Sequence, residues 1–180
     1  MPPVEFPYPL PVRILGVDPG LRLTGYAVVE CDPDRGFRAE PALIEAGVVR
    51  LKEKTPVAAR LVELERDLVD VINRLSPDHC CVEKLFAHYK RPVTAAIMGH
   101  ARGVVLLAAQ RAGVLITELN ATEVKKSVTG SGHASKQQVA ESVASQLRLA
   151  EPPSPPDVAD AIAIALTAAR RLDLSRVAAP

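Results

Sequence analysis

The segment ILGVDPGLRLTGYAVVE, residues 14–30, decides the fold because it places a tight turn between two strand-like runs. Residues 13–17 are mostly apolar, as expected of a buried strand, and residues 24–30 favour a second strand. The DPG sequence of residues 18–20 is typical of a turn, since proline fixes φ and glycine tolerates a positive φ. We therefore predict that the two strands pair as a hairpin. Asp18 is then either a turn residue or the first ligand of a site at the strand end.

Strands and helices alternate along the rest of the chain. Further strands are predicted at residues 43–51, 79–83 and 114–118, and helices at residues 56–75, 92–112 and 154–172, with two short helices after residues 120 and 135. This order predicts an α/β fold in which helices flank a five-stranded mixed sheet. A single domain is expected at residues 13–172, between a proline-rich arm at residues 1–12 and a tail at residues 173–180.

Several helix starts carry capping signals. Thr55 is the expected N-cap of the first long helix, with Pro56 at its first helical position. Two capping boxes are predicted, one formed by Asn120 with Glu123 and one by Ser135 with Gln138.

The predicted helix at residues 92–112 is apolar on nearly every side. Such a helix is expected to be buried on two faces, one against its own sheet and one against a further surface such as a second subunit. Gly99 and Gly103 lie on one face and would permit close approach.

Composition excludes some classes of protein. The 180-residue chain is long enough for one substantial core, and its net charge of +1 indicates no particular partner. No apolar run could span a bilayer and the start lacks the layout of a signal peptide, so no membrane partner is expected. Cys31, Cys80 and Cys81 have no disulfide-like spacing and are expected to be reduced thiols in a cytoplasmic protein.

Four carboxylates stand beside apolar segments, where an unpartnered charge is energetically unfavourable. Asp18 can be explained as a turn residue, Glu83 as a solvated strand end, and Asp157 as a capping-box acid three residues after Ser154. Asp160 resists such an explanation because its helix continues as the apolar AIAIAL, where a carboxylate needs a partner. Asp157 and Asp160 have i,i+3 spacing, so on a helix they point the same way.

Taken together, the four acids predict a metal site. Adjacent strand ends can bring Asp18 and Glu83 together, and a helix crossing there can add Asp157 and Asp160. Four carboxylates in one small space repel one another unless cations neutralise them. Oxygen ligands favour Mg²⁺ or Mn²⁺, and the lack of His and Cys argues against zinc. Two such ions about 3.5–4 Å apart suit in-line attack on a phosphodiester, so we expect two Mg²⁺ per site, with Mn²⁺ able to substitute.

The basic residues suit a nucleic-acid substrate by their positions. Residues 84–91, KLFAHYKR, directly follow Glu83 and contain no acid. The candidate DNA-binding residues in this segment are Lys84, Phe86, Tyr89, Lys90 and Arg91. Phe86 could insert between bases and Tyr89 could stack on one. Solvated surface with packed aromatics is the alternative.

A second group of lysines flanks the loop TGSGHAS at residues 129–135. Lys125, Lys126 and Lys136 would contact phosphates there and offset the acids, or else form solvated surface. His133, within the loop, is either a proton donor or a solvated side chain.

Five segments carry a resemblance to a known family: ILGVDPGLRLTGY, VEKLF, GHARGV, ATEVKKSVTGSGHASKQQV and PPDVADAIAIA. In this order and spacing they resemble the bacterial RuvC family of Holliday (crossover) junction endodeoxyribonucleases, which have an RNase H-like fold. The resemblance extends over residues 13–170. It departs from the family at Lys84, where some members have a neutral residue or Arg, and in the proline-rich arm.

The resemblance implies roles for individual residues. The four metal ligands of the family fall on Asp18, Glu83, Asp157 and Asp160, and its junction-opening aromatic falls on Phe86. The lysines that the family uses for DNA binding and catalysis match Lys125 and Lys136. The resemblance also implies a homodimer that nicks two strands of like polarity across a four-way junction, in recombination and repair, together with the RuvA–RuvB branch-migration complex.

Three rival functions remain open at this point. An actin-like or sugar-kinase-like phosphotransferase also begins with a strand, an Asp-x-Gly turn and a Thr-containing hairpin, but normally needs two such lobes. A non-catalytic junction-binding module could use the same fold, although it would not need all four acids. A structural protein with a dimerising helix leaves the acids unexplained.

Overall fold

Five strands and five helices make up the part of the chain that the structure, a computed structural model, describes: residues 11–31, 41–84 and 92–177, with only the backbone at 92–94 and 172–177. The strands are β1 (Val12–Asp18), β2 (Leu23–Cys31), β3 (Ala42–Arg50), β4 (His79–Glu83) and β5 (Leu115–Leu119). The helices are α1 (Val57–Leu75), α2 (Pro92–Arg111), α3 (Ala121–Thr129), α4 (Lys136–Leu147) and α5 (Pro156–Val177).

The strands form one five-stranded mixed sheet, as predicted, and the structure gives their order as β3-β2-β1-β4-β5. The predicted hairpin is confirmed, since β1 and β2 are antiparallel and Asp18 lies opposite Gly25. β4 lies between β1 and β5 and is parallel to both. Their carboxyl ends therefore meet at one edge of the sheet, where functional sites of open α/β sheets collect.

Helices cover both faces of the sheet. α1 and α2 pack on one face with a core that includes Leu15, Val17 and Leu64. α3, α4 and α5 pack on the other face around Ile14 and a second core. The alternation of Ile14 and Leu15 between the two cores follows from the two-residue period of a strand.

The same alternation orients the carboxylates at the sheet edge. Ile14 faces α5, so Asp18, two pleats further along β1, points to the α5 side as well. Cys81 of β4 also belongs to the α5-side core, and Glu83 follows it by two residues. Val17 pairs with Val82, which makes Asp18 and Glu83 neighbours across the two strands on the same face.

Two strand glycines let α5 lie close to the sheet. A Cβ on Gly16 would meet backbone atoms of Ala161 and Ala165, and a Cβ on Gly25 would meet the backbone oxygen of Asp157. Any larger residue at these positions would push the helix backbone away from β1 and β2. The glycines thereby fix where the first turns of α5 stand relative to Asp18.

The helix ends differ in part from prediction. α1 begins at Val57 because Pro56 has extended backbone angles, and no side chain caps the helix, so the predicted cap at Thr55 is wrong. Asn120 is an N-cap without a side-chain hydrogen bond, so the capping box predicted for Asn120 with Glu123 is wrong. Glu123 instead lies 3.6 Å from a guanidinium nitrogen of Arg171.

The second capping box is confirmed, and the last helix is displaced from its predicted bounds. The Gln138 amide donates to Ser135 Oγ at 3.2 Å and the Ser135 amide donates to Gln138 Oε1 at 2.8 Å. α5 begins at Pro156 and runs to Val177. Ser154 therefore lies two residues before the first helical residue, outside the N-cap position that a capping box with Asp157 requires.

The predicted thiols agree with the structure. Cys31, Cys80 and Cys81 are buried and none is in a disulfide bond. In the described ranges, no helix combines the length and apolar character needed to cross a membrane.

Gly25→Ala should destabilise the protein, because the new methyl group would overlap a backbone oxygen rather than a movable side chain. Overpacking of this kind costs about 1–3 kcal/mol. Urea denaturation of both proteins measures the change in the free energy of unfolding.

The double variant Gly25→Ala/Ala161→Gly is the control for this prediction. Ala161 Cβ lies 3.3 Å from the added methyl position, but its removal leaves the Asp157 oxygen in place. Full recovery of stability in the double variant would contradict the backbone explanation.

Candidate active site

A groove of about 680 Å³ opens at the edge of the sheet where β1 and β4 end. Its lining includes all four predicted acids, Asp18, Glu83, Asp157 and Asp160, together with Lys125 and Lys136. Helices from both faces of the sheet contribute to it, so the groove crosses the sheet edge. The structure therefore brings together the residues that the sequence singled out from four separate segments.

The turn after Asp18 is held by a buried threonine. Thr24 Oγ1 donates to the Gly20 carbonyl oxygen at 2.6 Å and accepts from the Gly20 amide at 3.1 Å. The Arg60 guanidinium of α1 also donates to the Leu21 carbonyl oxygen at 2.9 Å. These bonds fix the turn, so Asp18 stands on a rigid strand end rather than in a loose loop.

The acids perturb one another. Burial, followed by the negative charge of Asp160, raises the pKa of Asp18 from 3.8 to about 7, although the Lys136 ammonium lowers it. Burial and Asp160 likewise raise the pKa of Glu83 above its ordinary value. A pKa shift of this size on a carboxyl group is typical of functional sites, where burial and neighbouring like charges act together.

Lys136 pairs directly with one of the four acids. Its Nζ donates to Asp160 Oδ2 at 2.7 Å, with the lysine side chain 67% exposed and the Asp160 side chain 24% exposed. Burial lowers the pKa of Lys136, but the hydrogen bond to Asp160 and the surrounding carboxylates outweigh burial and raise it. Lys125 also lines the groove, so two ammonium groups stand against the four predicted acids.

The chemistry of the donor set fits hard divalent cations. Every candidate ligand is a carboxylate on a strand end or on the first turns of a helix, and none is a thiolate or imidazole. Among the described residues, no three His, Cys, Asp or Glu side chains already stand close enough together to hold a metal ion. The side chains nevertheless line the same groove, and as carboxylates they are the ligand type that such cations prefer.

Sequence reasoning missed part of the lining, namely Arg22, Glu53, Arg60, Ile97 and Met98. Arg22 Nε lies 3.0 Å from Glu53 Oε1, but both side chains are largely exposed, so this pair is weak. Arg22 lies inside the segment that defines the fold and could have been found there. Arg60 reaches the groove through a contact 39 residues away in sequence, which periodicity does not reveal.

The predicted DNA-binding residues have different outcomes. Lys125 and Lys136 line the groove, whereas Lys84 and Lys126 are exposed and lie outside its lining. His133 is also exposed, in the loop before α4. The predictions for Phe86, Tyr89, Lys90 and Arg91 fall outside the described residues.

Polar contacts hold the two lysine-bearing helices in place. The Arg170 guanidinium of α5 donates to the Ser127 carbonyl oxygen at 2.8 Å and to Gln146 Oε1 at 2.8 Å. Ser142 and Gln146 of α4 both donate to the Val128 carbonyl oxygen, near the end of α3. α3, α4 and α5 are thus tied together behind the groove.

The profile of the family described as crossover junction endodeoxyribonuclease RuvC matches residues 14–168, which include every element around the groove. The chain belongs to this RuvC family. A crossover junction endodeoxyribonuclease RuvC of Rhodopirellula baltica is 46% identical over 153 residues, which cover 85% of this chain and 83% of the relative. Membership confirms the predicted enzyme class, and dependence on divalent metal ions follows from it in general terms.

Solved structures agree with this assignment. The structure of Thermus thermophilus RuvC in complex with a Holliday junction substrate matches with a TM-score of 0.82 and 33% identity, over 91% of this chain and 96% of that chain. A yeast mitochondrial Holliday junction resolvase matches with a TM-score of 0.63 and 16% identity, over 94% of this chain and 84% of that chain, and shows the fold alone. The predicted RNase H-like fold is confirmed.

Asp18→Asn should stabilise the metal-free protein at alkaline pH. Because the pKa of Asp18 rises from 3.8 to about 7 on folding, its contribution to stability is complete below pH 3.8 and is lost as pH rises through 7. One pKa unit corresponds to about 1.4 kcal/mol, so we expect a gain of at least ~1 kcal/mol at alkaline pH. Such a gain raises the Tm by about 2–4 °C in scanning calorimetry with EDTA.

The gain should shrink in mildly acidic buffer, where the folded protein already holds the proton. Glu151→Gln, at an exposed carboxylate, is the matched control and should change the Tm little at either pH. An unchanged or lower Tm for Asp18→Asn at alkaline pH would show that the ionised Asp18 carboxylate does not destabilise the folded protein.

Proposed function

We propose that this protein resolves four-way (Holliday) DNA junctions by nicking two strands of like polarity symmetrically, in homologous recombination and DNA repair. The observation that carries the proposal is the convergence of four carboxylates with Lys125 and Lys136 in one groove. The substrate is supported by the family, since the Thermus thermophilus relative has been solved with a Holliday junction substrate.

We propose that Asp18, Glu83, Asp157 and Asp160 hold two Mg²⁺ ions, with Mn²⁺ able to substitute. When bound, the ions supply Lewis-acid stabilisation of the attacking and leaving oxygens of an in-line displacement. The chain contributes rigidity, because two ligands stand at strand ends and two on the first turns of α5. Ligands on such elements keep their geometry while the substrate is exchanged.

The lysines complete the proposed site. Lys136, which pairs with Asp160 and has a largely exposed side chain, would contact the phosphate near the scissile bond. Lys125 holds the same strand, and Lys84 and Lys126 extend the positive rim outside the groove. Phe86, Tyr89, Lys90 and Arg91 stay predicted contacts of the opened junction.

A homodimer would present two such sites to a two-fold junction. α2 supports this proposal, because Ala101, Val105 and Ala108 are buried against the sheet while the other face is open. On that open face, Leu107 is 45% exposed, and an added Cβ on Gly103 would meet nothing within 4 Å. This face of α2 suits close packing against a second copy.

Two further proposals, on a partner complex and on location, rest on one observation each. Cooperation with the RuvA–RuvB branch-migration complex is supported by family membership alone. A cytoplasmic location is supported by the three buried cysteines, none of which is in a disulfide bond.

The proposed reaction can be tested with a labelled, immobile four-way DNA junction and a linear duplex of the same sequence. With Mg²⁺, we expect paired nicks at symmetric positions in the junction only, and none with EDTA. Asp160→Asn should bind the junction but cut it at least a hundredfold more slowly, since it removes one ligand charge.

Normal cutting by Asp160→Asn would exclude the acid cluster as the active site. Tight junction binding by the wild-type protein without cutting, in both Mg²⁺ and Mn²⁺, would favour a non-catalytic binding module instead.

The dimer is tested separately. Gly103→Glu should shift the protein from dimer to monomer in analytical ultracentrifugation, because it places a charge on the open face of α2. Val62→Glu is the control, since Val62 is 67% exposed on α1 and should leave the mass unchanged. A monomeric wild-type protein at micromolar concentration, or a dimeric Gly103→Glu variant, would contradict the proposed interface.

A further inference from the structure

Arg102, the arginine of the GHARGV motif in α2, connects three elements at the sheet edge. Its Nε donates to the backbone carbonyl oxygen of Glu83 at 3.3 Å, and its Nη2 donates to Glu118 Oε1. The Arg102 side chain is only 18% exposed. A guanidinium in this position joins α2 to the ends of β4 and β5.

The contact with Glu83 sets Arg102 apart from Arg111, the other arginine of α2 with a described partner. Arg111 pairs with Glu65 of α1 at 2.6 Å, and its own side chain is 67% exposed. Such a pair lies on the surface and contributes little. Arg102 instead bonds to the main chain of a residue whose carboxylate lines the groove.

The Arg102 contact and a main-chain hydrogen bond to β5 flank the peptide that follows Glu83. On the β5 side, the Lys84 amide donates to the Leu119 carbonyl oxygen at 2.8 Å. On the α2 side, Arg102 holds the Glu83 carbonyl. The peptide between Glu83 and Lys84 is therefore fixed from both sides, which limits the positions open to the Glu83 carboxylate.

We propose that Arg102 is a positioning residue that fixes the Glu83 carboxylate for metal binding by holding its backbone carbonyl, with Glu118 as the counter-ion. The inference rests on the proposed function, because it takes Glu83 to be a metal ligand. Arg102 does not touch the reacting atoms and acts only through Glu83.

The geometry requires arginine rather than any positive charge. The planar guanidinium donates in two directions from a rigid fork, and so can serve a carboxylate and a carbonyl at once. A lysine ammonium can pair with Glu118 but sits on a flexible stem, so it does not hold both partners in place. Arg102→Lys therefore keeps the charge and removes the positioning.

The test is a titration of the DNA-free protein with Mn²⁺, followed by isothermal calorimetry and by the rise in Tm. Arg102→Lys and Arg102→Gln should weaken the apparent affinity for Mn²⁺ roughly tenfold, as is usual when a group that orients a metal ligand is lost. On junction DNA, kcat should fall while KM stays near the wild-type value. Arg111→Gln is the matched control on the same helix and should leave Mn²⁺ affinity and kcat unchanged.

The outcomes separate the possible failures. If Arg102→Lys lowers the Tm but keeps wild-type Mn²⁺ affinity and kcat, Arg102 is only a brace between helix and sheet, and the inference is overturned. If Arg102→Gln does not fold, the lysine variant alone decides the question in the same way. If the wild-type protein itself neither binds Mn²⁺ nor cuts junctions, the proposed function fails instead.

Discussion

The close packing of α5 on β1 and β2 is the constraint on which the rest of the site depends. Gly16 and Gly25 give α5 the space it needs, because the atoms nearest to an added Cβ are backbone atoms of the helix. Val158, Ala159 and residues 161–169 of the helix are buried, so this part of it cannot move away to make room. The positions of Asp157 and Asp160 beside Asp18 follow directly from this contact.

The same packing concentrates negative charge where water is scarce. The raised pKa values of Asp18 and Glu83 have burial as their largest cause and Asp160 as the next, so both depend on the approach of α5. Lys136 offsets part of the charge through Asp160, from a helix whose start is fixed by its own capping box. The fold thus holds an unfavourable charge cluster at the sheet edge, which is a common compromise between stability and activity.

Sequence reasoning found what depends on local pattern. The strands followed from alternation and from the DPG turn, and the four acids from their placement at strand ends and on one helix face. The Ser135 capping box was also predictable, because it needs only residues three apart. These features depend on short segments whose preferences agree with the fold.

What sequence reasoning could not find depends on long-range contacts. Arg60 and Arg102 bond to main-chain oxygens that are 39 and 19 residues away in sequence. The spacing of residues within a helix does not predict such partners. The cap predicted at Thr55 failed because Pro56 adopts extended angles and delays the helix by one residue. A second packing face on α2 was predicted from its apolar sequence, but which residues stand opposite the buried side, such as Leu107, is known only from the structure.

α2 connects an open face of the molecule to the end of β4. One side of this helix is buried in the core and the other presents an open face, while Arg102 reaches from it to the end of β4. A helix packed on one side only can still tilt slightly, and a tilt would move the Arg102 guanidinium relative to the Glu83 carbonyl. Packing of a second copy on the open face would remove that freedom in both protomers at once. The geometry of Glu83 would then be most sharply defined in the assembly that has two sites for two strands.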